Sequence, residues 1–471
     1  MPKRMSKLKH LNLLGDYIVG EHEENGIREL GPIDVHGSFC ISNLENVNNS
    51  SEALEAMMGN KKHINFLELQ WSSSRDTVDV QNERDILEAL RPHSNLKELF
   101  IEGYRNLEIF ELDGLERIGE EFYKSGESCH EGTPFRSLER LAFSGMKGWR
   151  EWHIPDKLDV FPKLKTLIMR VCPVLSGDLP AHLPALENLQ ICSCKELAYS
   201  QLRAPKLHRI SINSFGRAAP HEVIIEETQQ VQSVLEWLLH IQPPCIQHLR
   251  IESCWSAISI SRDYLPASLQ YLTIWDCSKL TFPETLEHKL LTEINVYNCD
   301  SVTSFPLGGL PNLKKLTISN CPEIDCFGEE CLPPSLTTLE ISKCQKIERW
   351  ITSNGFHSDG LTLLRLQRWN EVNSFPTEGC LPASLQSLQL YHFPNLETLD
   401  CKGLQHLTSL KNLRILLCPR LENITEERLP ASISKLYIYG ECPLMSKLQE
   451  MNDPRIQIGT DDDPYLEDEY S

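Results

Sequence analysis

Cysteine is the residue through which this 471-residue chain could most readily do chemistry, and it holds 17 of them. Cys192-Ser193-Cys194 resembles half of a metal site, because two thiolates so close could share one zinc ion. A closed site needs a second Cys or His pair at ligand spacing, and none follows. Eight cysteines obey a different rule: Cys172, Cys194, Cys254, Cys277, Cys299, Cys321, Cys344 and Cys418 fall at one position of a repeating pattern, and the run from Cys277 to Cys344 is spaced 22, 22 and 23 residues apart. Thiols placed in this way are each expected to be buried in their own turn, donating weakly to nearby backbone. They read as reduced structural cysteines, with no disulfide framework and no metal. The 16 histidines are scattered, and no G-x-S-x-G, H-E-x-x-H or paired-carboxylate motif accompanies them. No Gly-Lys dipeptide occurs, so no phosphate loop of the G-x-x-x-x-G-K-[S/T] type is present. The expectation is a chain that is not an enzyme and carries no cofactor.

The element that positions the cysteines is a short frame of apolar residues. Leu269, Leu272, Ile274, Cys277 and Leu280 read L-x-x-L-x-I-x-x-C-x-x-L, and the frame returns from Leu291, Leu313 and Leu336. Leu272 and Ile274 alternate with Thr273 and Trp275, so a short strand sends two side chains inward and the others to solvent. One such unit cannot cover its own apolar edge and must stack on neighbours. The period predicts an α/β fold: a leucine-rich-repeat solenoid, a curved horseshoe of about 17 repeats. Its concave side is a parallel β-sheet and its convex side irregular or helical.

Along the chain, residues 1–60 carry irregular repeats, with strands expected around Leu8, Leu11 and Leu13 and around Phe39 and Ile41, then a helix from Ser51 to Lys62. Residues 61–448 form the regular solenoid, interrupted by insertions at 111–134, read as a mobile loop, and at 217–244, with a helix expected from Thr228 to His240. Residues 449–471 read as a disordered acidic tail, since Asp461 to Glu469 supplies six carboxylates and no base.

A net charge of −20 excludes nucleic acid as the main partner. No apolar run reaches the length of a membrane span, and Met1 to His10 lacks the apolar centre of a secretory signal, which points to the cytoplasm or the nucleus. Function is expected on the concave face. Its outward positions carry eight bases and six acids, about +2 on a chain of −20, a contrast suited to an acidic partner or an acidic segment of its own protein. The candidate protein-binding residues are Arg250, Tyr271, Trp275, Tyr297, Lys315, Arg365, Tyr391, Arg414, Lys435 and Tyr437, because Tyr, Trp and Arg most often anchor interfaces. Aromatics also suit strands for purely structural reasons.

Several segments resemble one family. Ser6-Lys-Leu-Lys-His-Leu11 followed by Tyr17-Ile-Val-Gly20 and Gly26-Ile-Arg-Glu-Leu30 is similar to the array of plant coiled-coil NB-ARC leucine-rich-repeat disease-resistance proteins. So are Ile41-Ser-Asn-Leu-Glu-Asn-Val47, Leu67-Glu-Leu-Gln-Trp71, Phe135-Arg-Ser-Leu-Glu-Arg-Leu141 with Trp149-Arg-Glu-Trp152, and Cys418-Pro-Arg-Leu421. The resemblance spans roughly residues 5–448. It implies non-catalytic recognition of a pathogen effector or a guarded host protein, and restraint of an NB-ARC ATP/ADP switch, joined in cis or supplied in trans. The phosphate loop of that switch is missing here, so the chain resembles the sensor half alone. Two other readings stay open: the substrate-recognition array of an F-box ubiquitin ligase, although no F-box-like helical segment precedes residue 60, and a receptor ectodomain, although its L-x-G-x-I-P repeats are absent.

Overall fold

The computed structural model describes residues 3–8, 10–71, 80–103, 117–123, 135–154, 160–198, 202–213, 218–226, 231–241, 246–260, 265–283, 286–325, 327, 332–355, 358–425, 429–450 and 455–458. The chain divides into two compact units, the first built mainly from residues 1–228 and the second mainly from 247 onward. Each is a leucine-rich-repeat ladder of parallel strands.

In the first unit, among the described residues, nine strands pair in chain order: Asp16–Ile18, Gly37–Ser42, Ile64–Gln70, Glu98–Glu102, Arg140–Ser144, Thr166–Arg170, Asn188–Cys192, Arg209–Ile212 and Glu222–Glu226. In the second, ten do so: His248–Glu252, Tyr271–Trp275, Glu293–Tyr297, Lys315–Ser319, Thr338–Ser342, Leu363–Gln367, Ser387–Tyr391, Asn412–Leu416, Lys435–Tyr439 and Ile456–Ile458. The frame residues make the core: Leu269, Leu272, Ile274, Cys277 and Leu280 are all fully buried, as are their counterparts from Leu291 to Ile347. Each buried leucine contributes on the order of 2 kcal/mol, so one missing repeat removes several such contributions at once.

Most of the described strand ends solve the same backbone problem. The chain must turn sharply off the sheet, and it does so on a left-handed residue: Asp276, Asn298, Asn320 and Lys343 precede their cysteines with φ near 53°. The freed amide of each then donates to the next repeat, for example Asp276 to the Tyr297 carbonyl at 2.9 Å and Asn298 to Ser319 at 2.9 Å. The cysteine that follows tucks inward, and its Sγ donates to the carbonyl two residues back, at 3.4 Å for Cys277, 3.2 Å for Cys299 and 3.4 Å for Cys321. All eight repeat cysteines make this bond and all are free thiols. Burial pushes Cys344 and Cys418 up to about 12, so both stay neutral. At two turns an aromatic takes the thiol's place, and Trp369 and Phe393 pack with Phe375 in one buried cluster.

The backs of the repeats mix short helices with two-residue strand pairings. In the second unit these include the helix Gln345–Asn354 and the three-strand set Ser374–Phe375, Thr398–Leu399 and Asn423–Ile424. Near the start, the strand expected at Leu8 to Leu13 does not form. Leu8 and Leu13 are exposed, and the strand is Asp16–Ile18, anchored by buried Tyr17, whose hydroxyl donates to the Gly26 carbonyl at 2.8 Å. The helix expected from Ser51 to Lys62 stops at Leu54, because Met57 takes a left-handed φ of 51° and breaks the turn.

Within 111–134, Arg117–Ile118 pairs with Glu151–Trp152, and Phe122 and Tyr123 are buried against Phe135 and Phe161. Residues 111–116 and 124–134 lie outside the described residues. Within 217–244, Glu222–Glu226 is a ladder strand and Val231–Ile241 a helix that buries Val231, Val234, Leu235 and Leu238. The residues from 449 include the strand Ile456–Ile458, while the acidic run 461–469 lies outside the described residues.

Candidate functional site

All ten candidate residues stand on the outward sheet face of the second unit, since each occupies a strand position that alternates with the buried frame. The parallel register decides which of them meet. Tyr271 lies opposite His248 and Trp275 opposite Tyr297. The first pair stacks with ring centroids 4.4 Å apart and the second packs at 4.9 Å. Trp275 remains 46% exposed on that face. Arg250 binds Glu252 on its own strand, through Nε at 2.9 Å. Burial, then the carboxylates of Glu340 and Glu293, raises the Tyr297 phenol above its ordinary value.

The middle of the face is a lateral ion network. Lys315 lies 3.6 Å from both Glu293 and Glu340, and Glu340 is 3.5 Å from Arg365. Arg365 also donates to Gln389 at 2.9 Å and sits over the Tyr391 ring at 5.6 Å. Tyr391 is only 6% exposed and donates its hydroxyl to Gln389 at 3.0 Å, so it packs into the face where an outward anchor was expected. Arg414 covers the Tyr437 ring at 5.9 Å, and Lys435 is exposed beyond it. Pairs of this half-exposed kind are worth about 0–1 kcal/mol each. Their larger effect is to commit Arg250, Lys315 and Arg365 to carboxylates of the same face. From residue types alone these cations look available to a partner, since the acids are visible in the sequence and the pairings are not, and His248 joins the face only through its stacking on Tyr271.

Two further features were not foreseen. In the first unit Asp34, His36 and His63 bring ligand atoms within 4.8 Å of one another, and the His36 ring lies 3.2 Å from Asp34. With three ligands, two of them on exposed residues, this is an open surface cluster and falls short of a closed four-ligand site. In the second unit a groove of about 540 Å³ runs along the turns that leave the sheet, from Asn320 to Pro419. No described helix is long and apolar enough to cross a membrane.

Comparison with known proteins agrees with this geometry. The family model described as R13L1/DRL21 LRRs matches residues 27–112. The chain is similar to the putative disease resistance RPP13-like protein 1 of Arabidopsis thaliana, 28% identical over 65% of this chain and 31% of the relative. It is similar also to the disease resistance protein RGA2 of Solanum bulbocastanum, 29% identical over 45% of this chain and 24% of the relative. The chain thus spans less than a third of either relative's length. Among solved structures, a chain of the Toll–Spatzle complex from Drosophila overlaps 86% of this chain and 51% of its own length, at 14% identity and a TM-score of 0.35. A likeness at that score carries no argument. Leucine-rich-repeat domains are typically non-catalytic, and those of resistance proteins generally mediate protein interactions. The ladder of leucine-rich repeats, the family-model match and the relatives named for disease resistance together support a plant NLR-type leucine-rich-repeat protein.

Proposed function

We propose that this chain is a non-catalytic recognition array in plant defence, and that the outward sheet face of its second unit binds a protein partner, either a pathogen effector or a guarded host protein. The observation that carries this reading is the aromatic end of the face. Trp275, 46% exposed, rests on Tyr297, and the Tyr271–His248 stack lies on the adjoining strands. Exposed rings packed side by side supply rigid contact area at low entropic cost, the usual make-up of an interface hot spot. Beside them the paired charges give register and select against wrong partners. Where the array is joined to an NB-ARC module, partner binding shifts that switch only through a difference in affinity between its two states. The reading places the protein in the cytoplasm or the nucleus.

The test is affinity purification from plant tissue with the intact chain and with a variant in which Arg250, Tyr271, Trp275 and Tyr297 are changed to Ala. Loss of a defined partner, with the far-UV circular dichroism unchanged, is the expected result. An unchanged set of partners overturns the assignment of this face.

A further inference from the structure

The groove along the sheet-leaving turns is built differently from the face beside it. Its rim is made by successive left-handed residues, Asn320, Lys343, Arg368, His392 and Leu417, with φ between 53° and 57°. That conformation places each residue at the same corner of its repeat, so their side chains form a row. Among the described residues, neither Lys343 nor Arg368 has an ion-pair partner, and both are exposed. The nearby acids are already taken: Glu323 binds Lys346 at 2.6 Å, and Glu371 binds Arg349 through two contacts of 2.6 Å.

Below the row sits Glu348, in the first turn of the helix Gln345–Asn354. It lines the groove and is 1% exposed, and neither carboxylate oxygen makes a hydrogen bond of normal geometry, the Asn370 backbone amide lying only near enough to favour the charged form. The sequence places it there because Ile347 and Ile351 must face the core, and Glu348, next to Ile347 and one helical turn before Ile351, is carried in on the same side. A buried carboxyl so weakly paired is costly, and a donor from outside would relieve that cost.

Charge and length define what fits. The floor calls for a donor that is itself cationic, since charge-assisted pairs are the strong ones. The rim, with two uncommitted cations, calls for an anion close to it. Five rim positions on consecutive repeats, at about 4.8 Å per strand, span about 19 Å. An extended peptide at about 3.3 Å per residue fills that length with about six residues, whereas a free amino acid does not.

We propose that this groove binds an extended peptide segment of a protein partner carrying a basic residue next to an acidic one. The basic side chain seats on Glu348, and the acidic one is held by Lys343 and Arg368. The site is separate from the aromatic end of the sheet face and does not depend on that face binding anything.

The full chain is titrated, by fluorescence polarisation at low salt, with a labelled capped hexapeptide Gly-Gly-Arg-Asp-Gly-Gly, and with two controls in which Arg becomes citrulline or Asp becomes Asn. Saturable binding of the Arg-Asp peptide is expected, weakened about tenfold or more by Glu348→Gln and by the citrulline substitution. The pair Lys343→Ala and Arg368→Ala should weaken the Arg-Asp peptide and leave the Arg-Asn peptide unchanged. The Trp275→Ala and Tyr297→Ala variant should bind the peptide as the native chain does, which separates this site from the sheet-face reading. No saturation below about 1 mM, or equal binding by Glu348→Gln with its circular dichroism intact, overturns the proposal.

Discussion

Glu348 also makes the sharpest prediction about stability. Burial raises its carboxyl from 4.5 to about 7, while the Asn370 backbone amide offsets part of that, Glu371 adds to it and Arg349 opposes it. Lys343, Arg368 and His392 face the same groove. Because the folded pKa lies above the unfolded one, this group's contribution to stability is fully present below pH 4.5 and is lost as pH rises through about 7. At about 1.4 kcal/mol per pH unit of separation, the swing is on the order of 3 kcal/mol. Glu348→Gln keeps the shape and removes the titration. Relative to the native chain, the variant should therefore gain about 3 kcal/mol between pH 4.5 and pH 8, with the rise centred between the two pKa values. Urea unfolding followed by tryptophan fluorescence suits the measurement, since Trp350 lies on the same helix and Trp369 at the turn of the next repeat. A difference between variant and native chain that stays flat with pH would refute the argument, and so would a native chain that gains on the variant at pH 8.

Three more expectations follow from single side chains. Val171 holds a left-handed φ of 54°, the place where Asn298 and Asn320 stand in later repeats, so Val171→Asn should stabilise the chain by about 1 kcal/mol in urea midpoints; a loss of stability would count against the turn geometry. Lys61 is buried and donates to the Leu30 and Ile33 carbonyls at 2.8 and 2.6 Å, and burial lowers its amine from 10.5 to about 8. The unfolded chain binds the extra proton in that window, so the native chain should gain on Lys61→Met as pH rises from about 8 to 10.5, by up to about 3 kcal/mol. Finally, the neutral, buried thiols of Cys299, Cys344 and Cys418 should react with a disulfide reagent only as the chain unfolds; fast labelling of Cys344 in the native chain would contradict the thiol-to-carbonyl bonds.

What could be read from the sequence was whatever the repeat imposes. Sixteen of the strand positions expected from the apolar frame are ladder strands, because a buried pair such as Leu272 and Ile274 leaves the backbone one way to alternate. The thiol bonds followed too, since Cys277 and its counterparts sit where the turn presents a carbonyl. The failures occur where a single contact outweighs the pattern. Tyr17 with its hydroxyl bond captured a strand that the leucines at 8, 11 and 13 advertised. The Glu222–Glu226 strand was hidden because its stretch of apolar residues stands outside the period. On the candidate face, residue types were legible and pairings were not. Nothing in the composition says that Lys315 reaches Glu293 and Glu340 on both sides, or that Tyr391 folds down beneath Arg365.

Those pairings change what the two surfaces can contribute to recognition. On the sheet face a partner that covers Lys315 or Arg365 must keep the existing pairs intact or replace them, because stripping water from a charge without a counter-ion costs more than a surface pair returns. Binding there is therefore driven by the exposed Trp275 ring and the half-buried Tyr297 beneath it, with the charges acting as a filter on orientation. The turn groove has the opposite arrangement: its cations at Lys343 and Arg368 are unspent and its acid at Glu348 has no cationic partner and only the Asn370 amide beside it, so a complementary peptide forms charge-assisted bonds without breaking an ion pair. The chain as a whole, at −20, draws basic segments toward it over about one Debye length, roughly 8 Å at physiological salt. A basic residue followed closely by an acidic one is the segment that gains from that field and still satisfies the rim. Raising the salt concentration should accordingly weaken capture at the groove through the association rate, while contact at the aromatic end of the sheet face changes little.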